Sequence, residues 1–418
     1  MFDAVVLADS ARARQVLLGL TIAERGKRVA TRVGARRVLV VEDSATDLTA
    51  WAAELGDADL LVIRASDQMV HMPLVKPLLA AEGARRIAVG PDGAYAGALY
   101  AAGTDRDEVL GAIAADRTAG DFAIAAAWSD AERVPHGDIA RHPVTTPAEK
   151  RAAQKLLLRI LIKPTEDSPV SKYIYRPLSK PLTVLLLHTP ITANQISYFV
   201  GLIGLFGCWL TAQPSQSYLI WGAALVFISG IIDGCDGEVS RLRLTSSAFG
   251  AWLDTVIDEV TTFTYFVAIG YHTYLHHPEW WVAASIVLGA ACYITNVYGI
   301  YYFCIVVLKA GGSQYYQGDL EIFESPEGAA LRPKHKPPSK APAWVQALGQ
   351  WALYMIRRDF INVAALGLTF LDLFEVIYGG MWMGGVIATL IILPEHLRLR
   401  RQLRELARRG GGTRYVAV

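Results

Sequence analysis

Charged residues are scarce in this sequence: only 19% of its 418 residues are Asp, Glu, Lys or Arg, whereas 53% are hydrophobic. That balance is too apolar for an ordinary soluble protein and favours membrane-spanning helices. Positive charge is not in excess either, because the formal net charge is +1. Proteins that bind nucleic acid usually carry a basic surplus, so we expect no nucleic-acid partner.

Cysteine is equally rare. The four cysteines lie in or beside apolar runs and none forms a CxxC pair: Cys208, Cys235, Cys292 and Cys304. This pattern indicates neither a zinc site nor a disulfide framework. We interpret the four side chains as small buried hydrophobic groups.

A secretory signal is also missing from the first residues, because the apolar run there is short, lacks a preceding basic stretch and is broken by Asp9 and Arg12. We therefore expect residues 1–150 to stay in the cytoplasm. Short apolar runs alternate there with helical stretches, which predicts a soluble α/β domain with a parallel sheet covered by helices. The predicted strands are Ala4–Ala8, Arg37–Val41, Asp59–Ile63, Arg86–Val89 and Asp121–Ala127, and the predicted helices include Thr46–Leu55 and Asp107–Ala115.

Long apolar runs dominate after residue 192, and each approaches the ~20 residues that a membrane-spanning helix needs. The predicted connections outside the membrane contain no Lys or Arg, whereas the inner segments contain many, so both ends of the chain should be cytoplasmic. This makes the predicted fold an α-helical polytopic membrane domain behind the α/β domain. The six predicted spans are 194–212, 217–234, 249–271, 280–308, 360–376 and 379–395.

The remaining segments are interpreted from composition. Residues 151–191 mix basic, aromatic and apolar residues, which is typical of a linker with a juxtamembrane helix on the membrane surface. Residues 192–397 form the predicted membrane domain, in which 311–343 is a Gly/Pro-rich loop and the glycine pairs at 379–380 and 384–385 favour close helix packing. Residues 398–418 are interpreted as a basic C-terminal tail that faces anionic lipid.

Four acidic residues occur at helical spacing where the second predicted span ends and the third begins. Asp233 and Asp236 are three residues apart, and Asp254 and Asp258 are four apart, so each pair lies on one helical face. Carboxylates crowded near a membrane are costly unless a cation compensates them. Oxygen ligands in this number suit Mg²⁺, Mn²⁺ or Ca²⁺, and a pair of such ions is suited to phosphoryl displacement.

The run Asp233-x2-Asp236-Gly237-x3-Arg241-x8-Gly250-x3-Asp254-x3-Asp258 resembles the signature of the CDP-alcohol phosphotransferase family, with Ser240 where the family usually has Ala. The resemblance covers residues 163–397 and implies six spans with a cytoplasmic active site. It also implies two divalent cations, Mg²⁺ or Mn²⁺, and a tendency to form homodimers. The residues it assigns to the cations are Asp233, Asp236, Asp254 and Asp258, and those it assigns to the CDP-alcohol donor are Asn194, Ser197, Gly237, Arg241, Ser247 and Gly250.

The reaction that this resemblance implies is attack of an acceptor hydroxyl on a CDP-activated alcohol with release of CMP, with Asp258 as the base. Some of these residues have a structural interpretation as well: Gly237 and Gly250 also suit helix packing, and Thr192 or Asn194 also suits a helix cap. Lys309, Arg357 and Arg358 are candidates for binding a phosphate on the acceptor, or are membrane anchors at span ends.

The order of the two domains resembles enzymes in which an inositol-phosphate cytidylyltransferase is fused to a di-myo-inositol-phosphate-phosphate synthase. The stretches that carry this similarity are Val144–Glu149, Lys163–Thr165, Thr189–Thr192 and Arg357–Phe360. However, the glycines of the GxGxR…K phosphate loop are missing from Leu7–Arg14, and Pro143 replaces one of two expected acids, with Asp67 near the place of the other. We therefore expect a degenerate nucleotidyltransferase-like domain.

Because the first domain is expected to be degenerate, two donors remain possible: the membrane lipid CDP-diacylglycerol and the soluble CDP-inositol. Two other functions remain as alternatives. The first is a bifunctional enzyme that makes its own CDP-alcohol. The second is a cation-coupled transporter, which would place its acids at mid-membrane depth.

Overall fold

The computed structural model describes residues 1–42, 48–54, 56–161, 168–309, 316–325, 328–334, 342, 344, 357–409 and 415. The chain divides into two compact units. The first unit comprises Met1–Glu166, Val184–Pro190 and Glu238–Thr245, and the second comprises Asp167–Thr183, Ile191–Gly237 and Ser246–Val418.

The first unit is an α/β domain. Its strands are β1 (Phe2–Leu7), β2 (Val16–Leu17), β3 (Leu20–Thr21), β4 (Val38–Val41), β5 (Asp59–Arg64), β6 (Gln68–Val70), β7 (Arg85–Val89), β8 (Tyr95–Ala101), β9 (Glu132–Pro135) and β10 (Arg141–Pro143). Its helices are α1 (Ile22–Arg32), α2 (Leu48–Ala53), α3 (Lys76–Ala80), α4 (Arg106–Ala115), α5 (Gly120–Ala127) and α6 (Pro147–Leu158).

Six of these strands form the main sheet, in the order β4-β1-β5-β8-β7-β9. Strands β1 and β5 are almost completely buried and run parallel to each other, as their continuous apolar sequences predict. Strand β8 is antiparallel to both of its neighbours. The prediction of an α/β domain is confirmed, but the sheet is mixed and not purely parallel.

Two segments of this domain differ from the sequence-based expectation. Asp121–Ala127 was expected as a strand, but it is helix α5, which buries Asp121, Ile124 and Ala125 on one face at helical spacing. Its aspartate pairs with the buried Arg64 at 2.8 Å, a long-range contact that local patterns do not reveal. Strand β8 was not expected, because its alanines and Gly97 have low β propensity.

The second unit is mostly helical. A π-helical turn (Ser171–Tyr175) leads into α7 (Arg176–Leu187), whose last residues belong to the first unit. The helices that follow are α8 (Ala193–Thr211), α9 (Gln216–Leu242), α10 (Ala248–His276), α11 (Trp280–Phe303, continued by a π turn Cys304–Leu308), α12 (Arg358–Phe370) and α13 (Phe374–Arg408).

Four of these helices are long and apolar enough to cross a membrane: Ala193–Thr211, Gln216–Leu242, Trp280–Leu308 and Phe374–Arg408. Helix α10 is long, but its sequence is interrupted by acids and is rich in Thr, Tyr and His. Helix α12 has 13 residues, about 20 Å of helix, which is shorter than the ~30 Å hydrocarbon core. A helix lies at each of the six predicted spans, and four of them have the length and composition of a span.

Glycines bring α8 and α9 close together. A Cβ built on Gly207 would lie 2.9 Å from the carbonyl oxygen of Gly222, and one on Gly222 would lie 2.6 Å from the backbone nitrogen of Thr211. The glycine pairs at 379–380 and 384–385 were expected to do the same between the last two helices, and this expectation was wrong. No described atom outside their own helix lies within 4 Å of a Cβ built at those positions.

A β-hairpin lies between α11 and α12, where the sequence predicted only a loop at 311–343. Strands β11 (Leu320–Ser325) and β12 (Gly328–Pro333) pair in antiparallel register. The hairpin packs through Leu320 and Leu331 against Phe303 of α11 and Leu399 of α13. Helix α13 continues past residue 397 as one helix to Arg408, so the first part of the predicted basic tail is helical and partly packed.

Candidate active site

Two helix N-termini frame the site, and both begin at a side-chain cap. Thr192 accepts a hydrogen bond from the backbone N–H of Gln195 in a capping box that starts α8, so Thr192 is the cap and Asn194 lies inside the helix. Ser247 accepts from the N–H of Gly250 at 3.0 Å and starts α10.

Three of the residues predicted to meet the donor lie together at these helix starts. A Cβ built on Gly250 would be 3.1 Å from Asn194 Oδ1 and 3.2 Å from Ser247 Oγ. The absence of a side chain at Gly250 therefore allows α8 and α10 to approach each other. The two predicted readings of this glycine, helix packing and access for a ligand, are compatible at this position.

Helices α9 and α10 bring three acids together. Asp233 and Asp236 of α9 and Asp254 of α10 each offer a carboxylate oxygen, and these oxygens all lie within 4.8 Å of one another. Asp236 is 7% exposed, and the other two are half-buried. The predicted convergence of the two helical faces is therefore present in the structure for these three residues.

Asp258, the fourth acid, contacts Arg358 at the beginning of α12. One guanidinium nitrogen of Arg358 donates to Asp258 Oδ1, and the other donates to Asp233 Oδ2 at 2.6 Å. Arg358 thus joins the two helices through their carboxylates, which partly neutralises the acidic cluster. The sequence indicated a phosphate ligand at this arginine but gave no sign of this contact.

The other two residues predicted to bind an acceptor phosphate are Arg357 and Lys309, at the ends of two helical segments. Arg357 precedes α12, is 47% exposed on its side chain, and approaches Asp359 at 3.7 Å. Lys309 ends the π turn after α11 with a left-handed backbone (φ 52°) and an exposed side chain.

Asp236 is held by its neighbours. Ser197 of α8 and the backbone N–H of Gly237 both donate to its carboxylate. Ser197, which was predicted to contact the donor, is buried and orients an acid in this structure. Arg241 lies one helical turn beyond Gly237 on α9, in the stretch Glu238–Thr245 that belongs to the first unit.

Sequence reasoning overlooked Glu259, which lies next to Asp258 on α10. Its carboxylate accepts hydrogen bonds from Tyr293 Oη at 2.6 Å and Tyr301 Oη at 2.9 Å, both on α11. An ionisable residue inside a predicted span was a signal that could have identified it. It provides a carboxylate beside the cluster with its own hydrogen-bond partners.

A small cavity of about 20 Å³ lies beside the acids, large enough for about one water molecule. Its lining includes Asp233 and Arg358, together with Asn362 of α12 and Tyr265 of α10. The Tyr265 hydroxyl is buried without a hydrogen-bond partner among the described residues. The site is therefore continuous with a polar pocket between α9, α10 and α12.

The donor set fits a hard divalent cation. Carboxylate oxygens from two helices converge, and such ligands suit Mg²⁺ or Mn²⁺ more than zinc, which favours His and Cys. The nearby Cys235 is directed elsewhere, because its thiol donates to the backbone carbonyl of Ser179 on α7.

In the first unit, the place of the expected phosphate loop is occupied by hydrogen-bonded side chains. Asp9, just after β1, accepts from Ser66 Oγ at 2.8 Å and from Thr118 Oγ1 at 3.3 Å. Asp67, near an expected metal acid, lies 3.3 Å from Arg64. Lys163–Thr165, one of the stretches that resemble the fused enzymes, lies outside the described residues.

Residues 190–371 match the family model of the CDP-alcohol phosphatidyltransferases. The match includes all four acids and Arg358, and it confirms the resemblance predicted from the signature. It covers 182 of the 418 residues and does not include residues 1–189.

Three relatives show how far the similarity extends. The bifunctional IPC transferase and DIPP synthase of Aquifex aeolicus is 33% identical over 147 residues, which are 34% of this chain and 32% of the relative. The archaetidylinositol phosphate synthase of Methanothermobacter thermautotrophicus is 41% identical over 64 residues, 15% of this chain and 33% of the relative. The phosphatidylinositol phosphate synthase of Corynebacterium glutamicum is 31% identical over 120 residues, which are 28% of this chain and 53% of the relative. The chain thus matches about a third of the length of the first relative.

Proposed function

We propose that this chain is a membrane-embedded CDP-alcohol phosphotransferase. It transfers a phospho-alcohol group from a CDP-activated donor to an acceptor hydroxyl and releases CMP. The observation that carries the proposal is the convergence of Asp233, Asp236 and Asp254 within 4.8 Å, inside the segment that matches the transferase family. Asp258, held next to them by Arg358, completes the set of four.

Each residue has a proposed role. Asp233, Asp236, Asp254 and Asp258 would hold two divalent cations, which neutralise charge on the pyrophosphate and the departing CMP. Asp258 accepts the proton of the acceptor hydroxyl. Ser197 orients Asp236 through its hydrogen bond. The donor contacts proposed are Asn194, Gly237, Arg241, Ser247 and Gly250, and the acceptor phosphate contacts proposed are Lys309, Arg357 and Arg358.

The substrates proposed belong to inositol-containing phospholipid or inositol-phosphate synthesis. The relatives with this similarity include synthases of archaetidylinositol phosphate and phosphatidylinositol phosphate, as well as fused IPC and DIPP enzymes. CDP-diacylglycerol and CDP-inositol are therefore the two donors to test first. The N-terminal unit is proposed to be a degenerate nucleotidyltransferase-like domain.

The proposed setting is the inner membrane. Helices α8 to α13 would form six spans, the short α12 being shielded by its neighbours, with the first unit, the acids and the C-terminus in the cytoplasm and a homodimer as the assembly. The acids lie near the end of α9 and the beginning of α10 and not at mid-helix, which favours a transferase at the membrane surface over a transporter.

A CMP-release assay tests this function. The full-length protein in lipid nanodiscs is incubated with each CDP-alcohol, a panel of polyol phosphates and Mg²⁺ or Mn²⁺. We expect CMP only when donor, acceptor and cation are all present, with none after chelation by EDTA. Asp254→Asn should abolish release, whereas Asp372→Asn, in the turn before α13, should retain it. Release that continues in EDTA or in Asp254→Asn would contradict the proposal.

A further inference from the structure

Arg358 uses the same carboxylates that the proposed cations require. We infer that its guanidinium competes with the second divalent cation, and that the arginine exchanges these carboxylates for a substrate phosphate when the full site assembles. This inference rests on the proposed function for the identity of the substrate. The competition itself depends only on the contacts of Arg358.

The contacts define two overlapping sets of ligands. Asp233, Asp236 and Asp254 form one set within 4.8 Å, and this set does not include Asp258. The second set is the fork of Arg358, which binds Asp258 and Asp233 together. Asp233 belongs to both sets. A first cation can therefore bind among three acids, whereas a second cation that uses Asp258 meets the guanidinium.

Electrostatics makes the two states exclusive. An arginine stays protonated at any physiological pH, so it cannot give up its charge to admit a cation. A guanidinium and a divalent ion on the same pair of carboxylates would lie only a few Å apart, where like charges repel strongly in a partly buried site. The arginine must leave Asp258 before a cation can bind there.

A substrate phosphate is a suitable alternative ligand for the guanidinium of Arg358. The arginine side chain is 31% exposed, so the surrounding helices do not cover it completely. A guanidinium binds phosphate through the same two-pronged geometry that it uses here on carboxylates. A phosphate at the site can therefore replace the carboxylates as the ion-pair and hydrogen-bond partner of the guanidinium. This exchange would couple arrival of a phosphorylated substrate to binding of the second cation.

Manganese binding tests the competition without any catalytic turnover. Bound Mn²⁺ is counted by electron paramagnetic resonance on the full-length protein in nanodiscs, without nucleotide. We expect the wild type to bind one ion tightly and a second at least about tenfold more weakly. In Arg358→Gln the second ion should bind about tenfold more tightly than in the wild type. Arg398→Gln should match the wild type, because the Arg398 side chain on α13 is 70% exposed and lies 3.7 Å from Asp319.

Inorganic phosphate tests the exchange. Phosphate should strengthen binding of the second Mn²⁺ in the wild type and in Arg398→Gln, but not in Arg358→Gln, where no guanidinium has to be displaced. If Arg358→Gln does not fold, Arg358→Lys serves instead, because one ammonium cannot bridge both carboxylates as the fork does.

The outcomes separate this inference from the proposed function. Unchanged or weaker Mn²⁺ binding in the Arg358 variants would overturn the competition even if CMP release is observed. Tighter binding with no phosphate effect in the wild type would overturn the exchange. Tighter binding in a protein that releases no CMP would support the competition and leave the proposed function refuted.

Discussion

At the scale of single residues, two adjacent acids on α10 differ in their surroundings. Asp258 contacts Arg358 next to the acidic cluster, whereas Glu259 is held by two tyrosines of α11. Their positions in sequence do not distinguish them, but their partners do. This contrast gives a matched pair for testing the proposed base.

Replacement of Asp258 by Asn should reduce CMP release by at least about a hundredfold, because a general base typically contributes 10²–10⁴. The amide is similar in size to the carboxylate, so the protein should still insert into the membrane. The measurement is the initial rate of CMP release, with size-exclusion chromatography as the check on folding. Glu259→Gln should retain most of the activity, since its amide oxygen can accept from one tyrosine and its NH₂ group can donate to the other hydroxyl. Near-normal turnover in Asp258→Asn would show that another group is the base.

We expect His71 to make the folding stability of the first unit depend on pH. Burial, followed by the charges of Arg25 and Lys76, lowers the pKa of His71 to about 4, below its usual value of 6.5. Between these values the unfolded chain binds a proton that the folded chain does not, so stability is full above about pH 6.5 and is lost as the pH falls towards 4. Because of this group, we expect the free energy of unfolding of the first unit to decrease by about 2 kcal/mol between pH 7 and pH 5.

The check compares melting temperatures of the first unit at pH 7 and pH 5 in the full-length protein, followed by hydrogen exchange of strands β1 and β5. His71→Gln cannot take up a proton, so its melting temperature should depend less on pH than that of the wild type. An equal decrease in both proteins would assign the pH dependence to other groups.

At the scale of helices and strands, sequence patterns predicted what depends on neighbours along the chain. The apolar runs located six helices described in the second unit, α8 to α13. The i, i+3 and i, i+4 spacings predicted that four acids converge, and carboxylate oxygens of three of them, Asp233, Asp236 and Asp254, lie within 4.8 Å of one another. They could not predict strand β8 or the hairpin β11–β12, whose stability comes from partners far away in sequence. The bridge from Arg358 across the acids was missed for the same reason, because its partners are 100 and 125 residues away.

The glycines show that the same local pattern has different consequences in different helices. A Cβ on Gly222 would meet the backbone of Thr211 at 2.6 Å and the carbonyl of Gly207 at 2.7 Å, whereas one on Gly384 meets no described atom within 4 Å. Backbone atoms cannot move aside as a flexible side chain can. Gly222→Ala should therefore separate α8 from α9 and destabilise the protein by about 1–3 kcal/mol.

The thermal unfolding of both variants in detergent provides the measurement. Gly384→Ala is the control and should melt within a degree or two of the wild type or slightly higher, because alanine also favours the helix. Equal melting temperatures for Gly222→Ala and the wild type would show that α8 and α9 do not approach as closely as described.

At the scale of the whole molecule, the first unit includes parts of the chain far beyond residue 150. Arg25 and Arg28 of α1 donate to the backbone carbonyls of Leu242 and Arg243 at 2.9 and 2.8 Å, at the C-terminal end of α9. Arg243 in turn donates to carbonyls at the C-terminal end of α7, including that of Leu187 at 3.2 Å. Cations at a helix C-terminus satisfy its free carbonyls and interact favourably with its dipole. Residues 1–150 alone would lack these partners, so the activity of the first unit has to be measured in the full-length protein.

The full-length protein should not make its own CDP-alcohol. Asp9 places a carboxylate at the end of β1, where a cytidylyltransferase would need backbone N–H groups for a triphosphate, and Ser66 and Thr118 already bind that carboxylate. Negative charge there would repel the triphosphate, so we predict that this unit lacks the cytidylyltransferase activity that the bifunctional names of some relatives include. With CTP, Mg²⁺ and a panel of polyol phosphates, we expect no pyrophosphate above background, while the same preparation releases CMP from a supplied CDP-alcohol. Release of pyrophosphate that depends on both CTP and a polyol phosphate would instead make the chain bifunctional, and Asp9→Asn would then show whether this carboxylate binds the metal for that step.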